Sequence, residues 1–427
     1  MITFTALVLL FALLASGAPI GFAMLFSGAL GLYLLGGIGP MVAILSSTPR
    51  ETAATFEFVT IPMFLLMAEL VLRSGIADDL FRAAAAWFGR FRGGLGIATA
   101  LAGAGFGAIC GSSTASAATL SSTSMPAMLS HGYERAMAAG VVAISGTLAM
   151  LIPPSVAMVI YALLADVSIA KMLVAGVIPG IIITLTIALT VYFLAWQDPK
   201  RAPISEVVPL SEKLALLRGI GPMLLLLMAV TGAIYTGFAT PTEASALGAF
   251  VAFILYMTRA RRTAAEVYEV FARSARTSCM LALILLGAHV FSTFFALTQA
   301  TQGAVKWVGG LPVPPWTIII VLVIIYIILG CFMDQMAILV LTVPIVVPML
   351  TAMQFDPIWF GVVLIVTAEL GMVTPPFGLN AFVVSKYSKT PIGEVFRGSW
   401  PHIIAHIIAI GILLLFPALS LWLPSRM

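Results

Sequence analysis

Charge is what this sequence has least of. Asp, Glu, Lys and Arg make up 9% of its 427 residues, against about 25% in a soluble domain. So few charges cannot cover a water-facing surface. With 61% hydrophobic residues and a mean hydropathy of +1.13, the chain belongs in a bilayer. Cysteine is scarcer still. Cys110, Cys279 and Cys331 all lie in apolar segments and read as small core residues, not as a disulfide framework. There is no Walker phosphate loop, which argues against ATP as the energy source. The close histidine pair His402 and His406, in "HIIAH", lacks the glutamate of a metalloprotease motif. It reads as an interface or lipid-boundary pair, and no transition-metal site is expected. No nucleophile and base converge to suggest a membrane-embedded enzyme. The net charge of +4 reflects loop lysines and arginines, not nucleic-acid binding. The longest polar stretch, Trp196 to Arg218, is too short for an appended soluble domain. The opening "MITFTALVLLFALLASG" has no basic flank and runs into further apolar sequence, so a separate signal peptide is not expected.

What is present is a succession of apolar runs of roughly 17–25 residues, the mark of a polytopic helical protein. Two runs are interrupted alike, by "AMLIPPSVAM" at 149–158 and "GMVTPPFGLN" at 371–380. Adjacent prolines remove two backbone donors and break a helix. In lipid the freed groups would cost on the order of several kcal/mol each. A shift of 222 carries Pro153 onto Pro375 and Pro154 onto Pro376, and also Pro126 onto Pro348 and Pro179 onto Pro401. Four prolines in register without a gap indicate an internal duplication, with copies at 1–200 and 219–427 and a linker at 201–218. Interrupted helices at matching places in two copies point to a transporter binding site.

Membrane segments are expected at about 3–15, 20–45, 56–72, 136–166, 170–196, 219–237, 242–258, 277–300, 358–387 and 400–423, with 136–166 and 358–387 broken at the prolines. The stretches at about 95–130 and 317–352 are too long for one crossing and carry small or polar residues at their centres. Each reads as a re-entrant helical hairpin. With the N-terminus outside, 17 of the 21 basic residues fall in inner loops and only Arg50, Lys171, Lys306 and Arg426 fall outside, as the positive-inside rule requires. Each copy then has five membrane segments plus one hairpin. An odd number of crossings turns the second copy upside down, so the fold expected is an all-α polytopic membrane protein of two inverted repeats. Both termini lie outside and the linker inside.

Irregular backbone at membrane depth is tolerated where it is buried in protein or lines a wet cavity. Each break presents carbonyls, which suit Na⁺, and helix N-termini, which suit a carboxylate. Two hairpin tips meeting two breaks would build one central site. The first tip, "GAICGSSTASAATLSS" at 107–122, offers Gly111 for a tight turn and the hydroxyls of Ser112, Ser113, Thr114 and Ser116. Small residues there serve close helix packing equally well. In the second tip, "GCFMDQMAIL", Asp334 aligns with Ser112. A carboxylate inside an apolar segment is a functional-site hypothesis by default, the alternative being a structural bond to a hydroxyl or amide. Ser145, Thr147 and Ser155 flank the first break, and Thr367, Glu369, Thr374 and Asn380 the second. Hydroxyls in membrane helices often bond back to their own helix. Glu369 reads as a proton carrier or a scaffold pair. Glu57 and Glu69 read as packed-interface carboxylates, and Glu243, after "GFATPT", as a helix start.

Together, "GSSTAS", "MPAMLSHGYERAMAAG", "LIPPSVAMVIYA", "VAGVIPG", "GCFMDQMAILVLTVPIVVPML" and "GMVTPPFGLNAFV" resemble the large membrane (M) subunit of tripartite ATP-independent periplasmic (TRAP) transporters over essentially the whole chain. The resemblance implies an elevator-type secondary transporter in a bacterial inner membrane, driven by Na⁺ and without an organic cofactor. It implies a periplasmic binding protein that delivers a small organic acid, such as a C4-dicarboxylate or sialic acid, and a small four-helix membrane subunit, separate here or absent. It places sodium ligands at Ser112, Ser113, Pro153 and Ser155, and at Asp334, Thr374, Pro376 and Gly378. Gly111, Thr114, Thr147 and Asn380 are the substrate candidates. A stand-alone two-hairpin anion carrier and a proton-coupled antiporter are the alternatives within transport.

Overall fold

The structure is a computed structural model and describes residues 2–205 and 208–427. Among the described residues every regular element is a helix. The first half runs α1 (Ile2–Ala15), α2 (Ile20–Gly36), α3 (Ile38–Ala54), α4 (Thr60–Leu72), α5 (Ile76–Phe88), α6 (Gly94–Cys110), α7 (Ser113–Ser130), α8 (Arg135–Gly146), α9 (Val156–Ala165), α10 (Ile169–Ala175) and α11 (Val177–Gln197). The second runs α12 (Leu210–Tyr235), α13 (Pro241–Arg259), α14 (Ala264–Leu297), α15 (Ala300–Gly309), α16 (Pro315–Phe332), α17 (Gln335–Ala352), α18 (Pro357–Gly371), α19 (Leu379–Ser388), α20 (Ile392–Leu415) and α21 (Ala418–Leu421). Among the described residues seven helices are long and apolar enough to cross a membrane, or eight if α3 and α4 form one bent span. The all-α polytopic expectation is met.

Two helix starts fall in register under the shift of 222. The shift carries Ser113, which opens α7, onto Gln335, which opens α17, and Arg135, which opens α8, onto Pro357, which opens α18. Both Pro-Pro bonds are cis. The halves depart from one another at α3 and α4. These meet at 63° through a 3₁₀ turn, Phe56–Val59, whereas the corresponding α14 runs unbroken for 34 residues. The expected segment at 20–45 is in fact two helices, because Gly37 turns the chain with φ 78° and α3 starts beyond it. The segment expected at 277–300 begins earlier. A capping box of Thr263 and Glu266 starts α14, each side chain accepting from the other's backbone amide. The same device starts α13 at Thr240 and Glu243, as the helix-start reading of Glu243 expected. Of the cysteines, Cys110 and Cys331 are buried, but Cys279 lies on an exposed face of α14 and is not a core residue.

Packing separates the helices into two groups. α2 lies on α14 and α4 on α13, forming a framework with α1, α3 and α12. The hairpins and broken helices pack with one another, and reciprocally: α7 against α19, α17 against α9. The hardest contact within this group is α8 on α20. A Cβ built on Gly398 would stand 1.7 Å from the Ala136 carbonyl oxygen, and one on Gly140 2.1 Å from the Gly398 carbonyl carbon. Only glycines let these two backbones touch.

Candidate functional site

The first hairpin turns at Gly111, whose φ of 58° ends α6. An L side chain is strained there, and a Cβ would also press on Val156 at 3.1 Å, so the tip sits against the start of α9. Ser112 caps α7, its hydroxyl accepting from the Ala115 amide at 3.4 Å and lying 3.2 Å from that of Thr114. In the first break, α8 passes into a 3₁₀ turn, Thr147–Met150, before the prolines. Thr147 donates to the Ile144 carbonyl at 2.6 Å. Ser155 donates to the Met150 carbonyl and, as cap of α9, accepts from the Met158 amide at 3.4 Å. Pro153, Pro154 and Ser155 are buried. At the hairpin base the Tyr133 hydroxyl accepts from the Leu95 amide at 3.1 Å. Burial pushes that phenol up to about 12, so it stays neutral.

The second hairpin repeats the capped helix start but not the tip turn, since Met333, at the place of Gly111, is extended with φ −127°. Asp334 caps α17 and accepts from the Ala337 amide at 2.9 Å, three residues on as in Ser112 and Ala115. The structural bond weighed for this carboxylate is therefore present, and it occupies one oxygen. In the second break Thr374 donates to the Leu370 carbonyl at 2.7 Å. Gly378, with φ 51°, donates its amide to Cys331 of the hairpin at 3.2 Å, and the Asn380 amide reaches back to Met372 at 2.9 Å. The Cys331 thiol lies 3.2 Å from the Ile327 carbonyl of its own helix and 3.5 Å from that of Pro375. Each tip is thus seated on the break of its own half. Unlike the first break, this one is open: Pro375, Pro376 and Phe377 are exposed, and so is Asp334.

A side-chain contact joins the halves at this level. The Ser113 hydroxyl donates to the Met372 sulfur at 3.7 Å. Glu369, one turn before Met372, lies beside Ser113 and within electrostatic reach of Asp334, yet neither of its oxygens closes a hydrogen bond. Gln335 and Asn380 are 1% and 0% exposed, and both side-chain amides are without partners, as are the hydroxyls of Ser116 and Ser145. Buried polar atoms are normally paired, so this concentration around the tips and breaks is unusual. Gln335 is the residue that sequence reasoning passed over. Its signal was available, since the shift of 222 places it on Ser113. The contacts bring together Ser113, Met372 and Glu369, and separately Cys331 and Gly378. Ser112, Thr114, Thr147, Ser155 and Thr374 bond within their own tip or break. His402 and His406 are buried on α20 with no partner at any ring nitrogen, which places them at an interface and not at a lipid boundary.

The DctM component of the tripartite ATP-independent periplasmic transporters matches this chain over residues 7–419. The chain belongs to that family. Among relatives of this large permease, the C4-dicarboxylate TRAP transporter large permease protein DctM of Pseudomonas aeruginosa is 36% identical over 88% of each chain. The sialic acid TRAP transporter large permease protein SiaM of Vibrio cholerae is 28% identical over 97% of this chain and 96% of its own. The ectoine TRAP transporter large permease protein TeaC of Halomonas elongata is 27% identical over 96% and 93%. In fold, the large permease resembles the Alcanivorax borkumensis YdaH transporter, with a TM-score of 0.65, 15% identity and coverage of 93% and 96%. It also resembles Neisseria gonorrhoeae MtrF, with a TM-score of 0.62, 16% identity and coverage of 97% and 94%.

Proposed function

We propose that this large permease subunit imports a small organic acid on a Na⁺ gradient. The hairpin body, α6–α11 with α16–α20, moves as an elevator against the framework of α1–α4 and α12–α14. One observation carries the reading: Glu369, Gln335 and Asn380, on the second hairpin and the second broken helix, are buried without partners. Burying such groups unsatisfied costs about 1–3 kcal/mol each, a cost removed when an ion or substrate supplies the missing partner. Na⁺ is a hard cation served by oxygen. Ser112, Ser113, Ser155, Asp334 and Thr374 offer side-chain oxygens, and Pro153, Pro376 and Gly378 offer carbonyls at the ends of half-helices. Gly111, Thr114, Thr147 and Asn380 then lie on the substrate side. The relatives' names support a carboxylate cargo.

The rest of the arrangement follows from the charge count and the family. The repeats 1–200 and 219–427 are inverted, with the 201–218 linker inside and both termini in the periplasm of a bacterial inner membrane. Residues 206–207 of that linker lie outside the described residues. A periplasmic binding protein delivers the acid and a small four-helix subunit completes the membrane unit. No catalytic step, organic cofactor or transition metal enters the scheme. The test is reconstitution. The chain alone in liposomes should move little substrate, and the small subunit with liganded binding protein should restore Na⁺-dependent uptake. Robust uptake by the chain alone would favour a solitary carrier, and uptake indifferent to Na⁺ but driven by a proton gradient an antiporter.

A further inference from the structure

Between α12 and the first hairpin runs an apolar groove made of two adjoining cavities. One, of about 530 Å³, lies between Leu80 and Trp87 of α5, Leu101 and Gly105 of α6, and Leu214 and Leu224 of α12. The other, of about 400 Å³, shares Leu101 and Gly105 and continues past Pro153 of the first break, Ile181 of α11 and Met228 of α12. No charged side chain lines either cavity among the described residues. Of the polar ones, Thr184 is already bonded to the Gly180 carbonyl at 2.7 Å. Among the described spans α12 is the least covered by protein, with 22% of its most apolar stretch buried. Water gains nothing on such walls, whereas a hydrocarbon chain does.

Size selects the occupant. From Leu214 to Leu224 α12 rises about 15 Å at 1.5 Å per residue, half of a hydrocarbon core about 30 Å thick. An α-helix about 10 Å across would displace about 1,200 Å³ over that length, more than twice the 530 Å³ that the first cavity offers. A single acyl chain is thin enough to enter. The end of the groove supplies the headgroup contacts. Lys213 precedes Leu214, and its Nζ stands 5.7 Å from the centroid of the Trp87 ring. Arg218 follows Leu217, which also lines the groove, and Arg90 and Arg92 lie just beyond Phe88. Among the described residues none of these four cations forms an ion pair. Glu212, beside Lys213, is exposed and likewise unpaired. Tryptophan marks the headgroup level. Lysine and arginine lay their stems along apolar surface and hold their charge at the interface, where several together attract anionic lipid.

We propose that this groove binds a phospholipid of the cytoplasmic leaflet with a net negative headgroup. One acyl chain lies along α12 from Leu214 toward Met228, and the phosphate lies among Lys213, Arg218 and the loop of Arg90 and Arg92. α12 belongs to the framework and α6 to the hairpin body, so the chain fills the seam between the two groups. The leaflet follows from the charge count. The site itself depends on neither the cargo nor the coupling ion.

The test titrates the full chain, in mild detergent, with phosphatidylglycerol and with phosphatidylethanolamine of the same acyl chains, while native mass spectrometry counts bound lipid. Phosphatidylglycerol should be retained at about tenfold lower concentration. Lys213→Ala with Arg218→Ala should remove that preference. Arg261→Ala with Arg276→Ala, two exposed cations that line neither cavity, should keep it. Gly105→Leu, whose Cβ meets only Leu80 at 3.5 Å and so enters the groove, should lower the retention of both lipids. Equal retention of the two lipids by the wild type would reduce the groove to ordinary lipid contact and overturn the assignment. So would a Lys213 and Arg218 variant that keeps the preference, or a Gly105→Leu protein that holds lipid as the wild type does. Loss of phosphatidylglycerol on adding the small subunit would give the groove to that protein and overturn it as well. Lys213 and Arg218 are not buried, so their variant decides the headgroup site even where Gly105→Leu does not fold.

Discussion

The two hairpin-and-break units share a capped helix start and a cis Pro-Pro bond, and differ in tip turn, in the shape of the break and in chemistry. Ser112 and Asp334 occupy one capping position and accept from equivalent amides, Ala115 and Ala337. Where the first unit has Thr147, bonded to its own helix, the second has Glu369 with no partner. Ser113 is matched by Gln335 and Met158 by Asn380. The first break is buried, while the second exposes Pro375 to Phe377, with Phe377 and Phe332 packed ring to ring on its surface. The cap is held in common because every freed amide at a helix start must find a partner, whatever side chains are present. Side chains carry no such obligation once a cap is in place, so one unit stayed neutral and hydroxyl-rich and the other took on carboxylates and amides. The two capping positions therefore differ in charge, and on the proposed reading a cation should bind beside them unequally.

The sharpest way to break the comparison is to ask whether the halves are inverted at all. Single cysteines at Ser211 and Gln302 in a cysteine-free background should label from opposite faces of right-side-out vesicles, all or none. Equal labelling of both by an impermeant reagent ends the inverted-repeat scheme. Next in size is the α8–α20 crossing, which has no glycine pair opposite it, since Val362 stands where the shift puts Gly140. Gly398→Ala forces a methyl onto the Ala136 carbonyl, an overpacking cost of about 1–3 kcal/mol or more. The folded yield in size-exclusion chromatography should fall severely. Gly393→Ala, whose Cβ meets nothing within 4 Å, should be neutral, and equal yields from the two would show that the crossing tolerates separation.

The charge difference itself is tested by uptake against Na⁺ concentration at matched expression. Asp334→Asn keeps the shape and removes the charge, and should raise the half-saturating Na⁺ by about 5–150-fold. Ser112→Ala, removing a neutral oxygen from the equivalent position, should raise it only a few-fold. Unchanged Na⁺ dependence in both would make the tips packing elements. The smallest effect is expected at Thr52, bonded to His289 at 2.9 Å and tying the bent α3 to the straight α14. Thr52→Val should cost about 0.6 kcal/mol, read as a slight fall in the unfolding midpoint with Na⁺ dependence intact. A large loss of transport from this variant would instead give the bend a part in the mechanism.

Much of this architecture is local and was legible in the sequence. Single prolines such as Pro126 and Pro401 stay inside helices, but the adjacent pairs Pro153–Pro154 and Pro375–Pro376 remove two donors at one place, and both interrupt their helices. A capping box acts between residues three apart, Thr240 accepting from the Glu243 amide and Glu243 reaching back to that of Thr240, so Glu243 announced the start of α13. An ungapped shift of 222 placed Asp334 on Ser112 with no knowledge of the fold. The bend between α3 and α4 was not legible, because the 63° turn depends on how those helices meet α13 and α14. Nor could sequence tell which buried polar groups lack partners. Thr147 and Glu369 are equivalent by the shift, and only the packed helices leave one bonded and the other bare. Glu69 shows the same division. As sequence it was one carboxylate in an apolar helix, fit for any packed interface. Tertiary structure set it facing the first hairpin tip across a small cavity, because α4 and the hairpin, some forty residues apart, become neighbours only when framework and hairpin body meet.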